Sequence, residues 1–259
     1  MPPPHSLAFE APSLALLATE PLRAVLDFCA ARVGSLAPVQ GDGHPVIVYP
    51  GLGAGALTTG QLRSHLRLCN FRVHDCELGV NTGPDGEFDA WLPNLVERVR
   101  ALHARYERRV SLVGWSLGGI YARQLAKRVP DKVRSVISLG SPFTGSPKAT
   151  NAWKVYEFAS GRRVDDRDHH IAGPVSDPPP VPTTSVFSRS DGICAWQTCL
   201  NEDGPLVENI EVYGSHCGLG HHPAAVYAVA DRLAQPEGQW TKFDRSGWKS
   251  LVYPDWRRS

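Results

Sequence analysis

No apolar run in the 259-residue chain approaches the roughly 18 residues that a membrane-crossing helix needs, so stable insertion into a bilayer is not expected. An excess of charge of one sign is equally lacking. The 27 Lys and Arg oppose 26 Asp and Glu, a formal net charge of +1, which removes the electrostatic basis for nucleic acid or an anionic membrane as the main partner. Met1-Pro2-Pro3-Pro4-His5 carries no basic leader, and the short apolar stretch Leu14 to Ala18 runs into Glu20 and Pro21 instead of a small-residue cleavage site. No secretory signal is expected on that basis, and a cytoplasmic location is. Cys29, Cys69, Cys76, Cys194, Cys199 and Cys217 form no CxxC pair and are too sparse for a disulfide framework, which also argues against structural zinc. Pairing of Cys199 with Cys217 under oxidation stays open, because elements flanking both converge in the scheme below. There is no internal repeat.

What is present is ordinary globular chemistry: 42% hydrophobic and 20% charged residues, with 24 Gly and 22 Pro that imply many turns. The length suits one large α/β domain or two small ones. Residues 12–33 show mostly helical spacing (Leu14, Leu17, Leu22, Val25, Leu26, Cys29), so one or two helices open the chain. Pro45 to Tyr49 is a β-branched apolar run ended by Pro50-Gly51, the pattern of a strand buried on both faces. A helix around Leu62, Leu66 and Leu68, a strand over Phe71–Cys76, and a strongly periodic helix over 89–108 follow. Next come a strand 109–113, a helix 117–128 and a strand 132–139. Strands resume at 183–188 and 208–213, then a helix at 223–234 and an irregular tail. Strands alternating with helices call for a mostly parallel sheet with helices on both faces. The domain scheme is a helical segment 1–44, a core of 45–145 with 182–259, and a cap insertion 146–181 too short to bury its own core.

Gly114-Trp115-Ser116-Leu117-Gly118-Gly119 sits between the strand 109–113 and the helix 117–128. A nucleophile presented on a sharp strand-to-helix turn needs small flanking residues, because backbone passes within contact distance of the turn. GxSxG alone is a weak pattern; in this strand–turn–helix setting it is strong. A serine hydroxyl is a poor nucleophile near neutral pH and needs a histidine base oriented by a carboxylate. In chain order Ser, Asp, His, Asp191 follows the strand 183–188 in Ser-Arg-Ser-Asp-Gly, and His216 follows the strand 208–213 in Tyr-Gly-Ser-His-Cys-Gly. His221 and His222 are alternative bases, although they read better as the start of the helix at Pro223. Asp177 and Asp203 are alternative acids without the strand-end position. Asp165, Asp166, Asp168, His169 and His170 read as a solvated loop among arginines, and no metal is expected.

Acyl transfer develops an oxyanion that needs two fixed donors. The backbone N–H of Leu117 is one; Leu52, in Tyr49-Pro-Gly-Leu-Gly-Ala-Gly55 after the first strand, is assigned as the other. The Gly51, Gly53, Gly55 spacing does not complete GxGxxG, since position 56 is Ala, so this is not a dinucleotide loop. Trp115 and the aromatic trio Trp153, Tyr156 and Phe158 are assigned to an acyl pocket that the insertion roofs, with packing against the sheet edge as the alternative for the trio. Leu57, Phe88 and Trp91 border it by position near strand ends.

The Gly-Trp-Ser-Leu-Gly-Gly turn, the Pro-Gly-Leu-Gly loop, Ser-Pro-Phe-x-Gly-Ser at 141–146, the Ser-Asp-Gly loop and the Gly-Ser-His turn together resemble the α/β-hydrolase superfamily, and within it bacterial esterases and triacylglycerol-lipase-like members. The resemblance covers about residues 45–235. It implies an α/β-hydrolase fold, Ser116 as nucleophile, His216 as base, Asp191 as acid, and hydrolysis of carboxylic esters with no cofactor. A small-molecule or lipid ester is the expected substrate. An acyltransferase, thioesterase or polyester depolymerase using the same triad, or a non-catalytic binding protein on this fold, are the alternatives.

Overall fold

A computed structural model describes residues 9–30, 36–146, 148–153, 156–157 and 173–258. Six strands, β1 (Pro45–Tyr49), β2 (Arg72–Asp75), β3 (Val110–Trp115), β4 (Val133–Leu139), β5 (Thr183–Phe187) and β6 (Val207–Glu211), form one sheet in the order β2-β1-β3-β4-β5-β6. Every adjacent pair is parallel. The helices are α1 (Leu14–Ala30), α2 (Gly60–Leu68), α3 (Phe88–Tyr106), α4 (Leu117–Arg128), α5 (Pro223–Leu233) and the short α6 (Lys249–Val252). Each element expected from the sequence is present within a few residues of its expected limits, and the tail contributes α6.

The strands are apolar throughout because both faces of the sheet are covered. Side chains alternate along each strand, so Val46 and Val48 join α2 and α5 in one buried cluster, while Ile47 and Tyr49 join α3 and α4 in the other. Each fully buried Val, Leu or Ile contributes about 1.5–3 kcal/mol of transfer free energy, and both layers are dense with them. Among the described residues no helix is long and apolar enough to cross a membrane.

Strand order reverses at β1. The chain passes from β1 outward to β2 and then returns to β3 on the other side of β1. Loops after β1 and β3 therefore diverge to opposite faces and leave a crevice at the carboxyl edge, the usual place for a ligand in an open parallel sheet.

The helix α1 belongs to neither apolar cluster. Leu14, Leu22, Val25 and Leu26 face solvent, and the one buried residue of the helix is Glu20. Its protein-facing side sets Glu20, Arg23 and Asp27 beside the half-buried Leu16, Leu17 and Ala24.

Candidate active site

Ser116 has φ 52° and ψ −122°, a conformation that a side chain adopts at a cost of about 1–3 kcal/mol. The surroundings enforce it. Ser116 N–H is tied to the Leu139 carbonyl of the neighbouring strand end at 2.8 Å, and α4 begins at the next residue. A Cβ on Gly118 would lie 2.4 Å from the Tyr49 carbonyl oxygen, so only glycine lets α4 start this close to β1. Ser116 is half-buried, with its hydroxyl free of hydrogen bonds to described residues.

Asp191 and His216 occupy the loops after β5 and β6. Both are buried, and Asp191 Oδ2 stands 2.6 Å from His216 Nδ1. Asp191 Oδ1 accepts the N–H groups of Ile193 (2.8 Å) and Cys194 (2.7 Å), which fixes the carboxylate plane. Burial lowers the basicity of the His216 ring, but the adjoining Asp191 carboxylate and then Glu20 outweigh it, so its pKa lies above the ordinary value. The pair lies against the end of β4, the strand next to the one that carries Ser116: the position of a Cβ on Gly140 is 3.1 Å from His216 Nδ1 and 3.2 Å from Asp191 Oδ2. Trp115, next to Ser116, donates from Nε1 to the His216 carbonyl at 3.0 Å.

The loop after β1 crosses directly over Ser116; a Cβ on Gly51 would be 3.1 Å from Ser116 Cβ. Asn81 holds that loop. Its Nδ2 donates to the Pro50 carbonyl (2.8 Å), its carbonyl accepts Gly53 N–H (2.7 Å), and its own N–H donates to Ala54 (2.8 Å). Tyr121 on α4 donates to Asn81 Oδ1 at 3.0 Å. The N–H groups of Leu52 and Leu117 donate to no described residue.

The alternatives sit elsewhere. His222 caps α5, with Pro223 in its first turn, and His221 lies edge-on to Trp115 and Phe28. Asp203 pairs with Arg257 on the surface, and Asp177 lies near Arg123 and Lys127. Asp165, Asp166, Asp168, His169, His170 and Phe158 lie outside the described residues. Trp115 is 7% exposed and packs in the core with α5 and against Gly220. Trp153 lies under the Lys148 ammonium at 5.8 Å, and Tyr156 lies near enough to the buried Tyr121 phenol to act with burial in raising its pKa. Phe88 and Trp91 pack around Tyr121, while Leu57 is 96% exposed. Cys199 is a buried thiol beside Phe187, and Cys217 is exposed; both are free.

Gly192, next to Asp191, is glycine because of a close approach. It has no positive φ; a Cβ there would meet the Leu16 carbonyl oxygen at 2.6 Å and Glu20 Cγ at 2.7 Å. Glu20 and Asn81 were not legible as site residues, since each acts through backbone groups far away in sequence. A carboxylate in the middle of an otherwise leucine-rich helix is the only local hint of the first.

Residues 45–174, half of the chain, match the model of the palmitoyl protein thioesterase family. The match takes in Ser116 and the loop after β1 and stops short of Asp191 and His216. Over 116 residues the chain is 26% identical to a pimeloyl-[acyl-carrier protein] methyl ester esterase of Shewanella woodyi, spanning 44% of this chain and 42% of that relative. Among solved structures, Aspergillus fumigatus lipase B is similar at TM-score 0.59 and 18% identity, covering 80% of this chain and 57% of that one. The mature Bacillus licheniformis lipase BlEst2 is similar at TM-score 0.55 and 14% identity, covering 78% and 96%. The parallel sheet with its strand-to-helix serine turn is thus the α/β-hydrolase fold, and the chain belongs to the palmitoyl protein thioesterase family.

Proposed function

We propose that this chain is a serine hydrolase that cleaves carboxylic esters through Ser116, His216 and Asp191. The observation that carries the reading is the buried Asp191–His216 pair at 2.6 Å, set against Gly140 at the end of β4, beside the Leu139 carbonyl that holds the N–H of the strained Ser116. With an ester in the crevice, the Ser116 hydroxyl turns to His216 Nε2, a contact that tightens only in such a complex. Oγ attacks the carbonyl carbon as His216 takes the proton, and the C=O electron pair moves onto oxygen. Leu52 and Leu117 N–H groups hold that oxyanion. Its collapse breaks the C–O bond, and the imidazolium protonates the departing alkoxide. Water then attacks the acyl-enzyme with His216 again as base, and Ser116 regains its proton as the acid leaves. Asp191 keeps Nδ1 protonated throughout and stabilises the imidazolium.

A second reading is favoured by one observation, the family match: the scissile group is a thioester. The steps are the same, with a thiolate leaving in place of an alkoxide.

Replacing Ser116 with Ala should cut turnover of a p-nitrophenyl ester by ~1,000-fold or more and abolish labelling by a fluorophosphonate. Turnover close to that of the unaltered protein would end the assignment. Initial rates on matched oxygen esters and thioesters, from acetyl to palmitoyl and with competing alcohols, separate the two readings and acyl transfer.

A further inference from the structure

The helix α1 lies outside the sheet and both apolar layers, yet it is fastened to the two loops that carry Asp191 and His216. Glu20, 3% exposed, is the fastening point. Its Oε1 accepts Gly192 N–H at 2.6 Å and His216 N–H at 3.0 Å; its Oε2 accepts Cys217 N–H at 3.3 Å. One carboxylate thus bridges the backbone immediately after the acid to the backbone of the base itself. Arg23, one turn along, donates to Glu20 Oε1 (3.1 Å) and to the Ser190 carbonyl (2.5 Å). Asp27, a further turn on, accepts Ser215 N–H (2.9 Å) and its hydroxyl (2.6 Å). Spaced at i, i+3 and i+7, these three share one face of the helix, and that face meets the residues flanking Asp191 and His216.

Two glycines record the close fit. A Cβ on Gly192 would strike Glu20 Cγ at 2.7 Å, and one on Gly218 would strike Asp27 Oδ2 at 2.0 Å. Neither has a positive φ, so glycine serves here to let the helix approach. Burying a carboxylate costs several kcal/mol unless donors surround it; here three backbone N–H groups and a guanidinium do so. Those three N–H groups lie outside the strand ladder, and without Glu20 they would lose their acceptor.

We infer that Glu20 is a positioning residue of the Asp191–His216 relay, clamping the acid and base loops together and adding a second negative charge behind the imidazole. This rests on the catalytic reading above. The charge matters at one moment: when His216 carries the serine proton, Asp191 and Glu20 both face a cation. Of the charged and titratable groups around the ring, Asp191 and Cys194 come from the acid loop, Cys217 from the base loop, and Glu20, Arg23 and Asp27 from α1.

The test compares the unaltered protein with Glu20→Gln, which keeps the shape and deletes the charge, and Glu20→Asp, which keeps the charge and shortens the reach. Initial rates on a p-nitrophenyl ester are measured across pH. Glu20→Gln should lower kcat about tenfold with KM within about twofold, and move the acidic limb of kcat/KM down by roughly 0.5 pH unit or more, since losing a nearby negative charge makes the imidazole less basic. Glu20→Asp should lower kcat and leave the limb in place. A helix that merely props up the fold would lower the yield of folded protein without moving the limb. Rates and limb in Glu20→Gln equal to those of the unaltered protein overturn the inference. If Glu20→Gln does not accumulate folded, Glu20→Asp decides: a reduced kcat supports the clamp, and an unchanged one overturns it. If the unaltered protein neither turns over esters nor labels with a fluorophosphonate, the catalytic reading has failed. The clamp is then read from the downfield Nδ1–H proton resonance of His216, which should broaden or vanish in Glu20→Gln; an unchanged resonance overturns it.

Discussion

His44 Nε2 and Ser111 Oγ are joined at 2.8 Å at the amino end of β1 and β3, and His44 Nδ1 lies 2.6 Å from Asp42 Oδ1. Asp, His and Ser are connected here as a catalytic relay would be, at the sheet edge opposite Ser116. His44 and Ser111 are wholly buried, however, and the Ser111 hydroxyl is shared with Ser135 at 3.0 Å. With no path for substrate, the same connectivity becomes a structural tie. Arg108 and Arg134 both bind Asp42, and against the upward push of burial Arg134 and then His44 hold its carboxyl below the ordinary range.

That tie predicts an acid-sensitive fold. Burial, then the Arg134 charge, lowers the His44 pKa from 6.5 to about 4 in spite of Asp42. Between those values the unfolded chain binds a proton that the folded chain refuses, so stability falls as pH drops through this window, by about 3 kcal/mol at most. Denaturant titrations at neutral pH and at the lower end of the window should show the loss. His44→Gln should be less stable at neutral pH by roughly 1–3 kcal/mol, with the gap closing in acid.

Asn81 should matter to rate beyond its effect on folding. It holds the loop proposed to present Leu52 N–H, through Pro50 and Gly53. Asn81→Leu should reduce kcat by about 10–100-fold, the scale of a misplaced oxyanion donor, in protein that still unfolds cooperatively. Tyr121→Phe, which removes one bond to Asn81, should cost less on both counts.

Asp191→Asn should leave the loop intact, since Ile193 and Cys194 can still donate to a side-chain oxygen. The amide cannot stabilise the imidazolium and favours the wrong tautomer, so kcat should drop by about 10,000-fold. A fall under tenfold would mean that another acid serves His216.

Thiol counting checks the packing. Cys29 and Cys217 are exposed, whereas Cys69, Cys76, Cys194 and Cys199 are buried. A thiol reagent should therefore modify two groups in the folded protein and six after denaturation, with Cys217 slow near neutral pH because, although the residue reaches solvent, partial desolvation of its sulfur and then the Glu20 carboxylate push its thiol up to about 11. Equal counts in the presence and absence of reductant would agree with free Cys199 and Cys217.

The elements of the core were legible because their signals are local. A five-residue run such as Pro45 to Tyr49 is apolar on both faces only if both faces are covered, and Gly114 before Ser116 reports backbone contact with Gly118 within the same turn. The packing of Trp115 was not legible in the same way: its indole joins the layer with α5. The opening helix formed where its spacing placed it, but which face it buries was not legible. Its leucine spacing is helical, yet Leu14, Leu22, Val25 and Leu26 face solvent while Glu20, Arg23 and Asp27 face the protein.

The amino-acid order alone determined the parallel α/β layering, the serine turn and the chain positions of a carboxylate and an imidazole past late strands, because periodicity and turn chemistry act over a few residues. Only the tertiary structure decided that Asp191 meets His216, that Asn81 steadies the loop over Ser116, and that Glu20 reaches both loops from α1. Those contacts span tens to nearly two hundred residues of chain, and no local pattern encodes which buried donor will find which acceptor once the layers close.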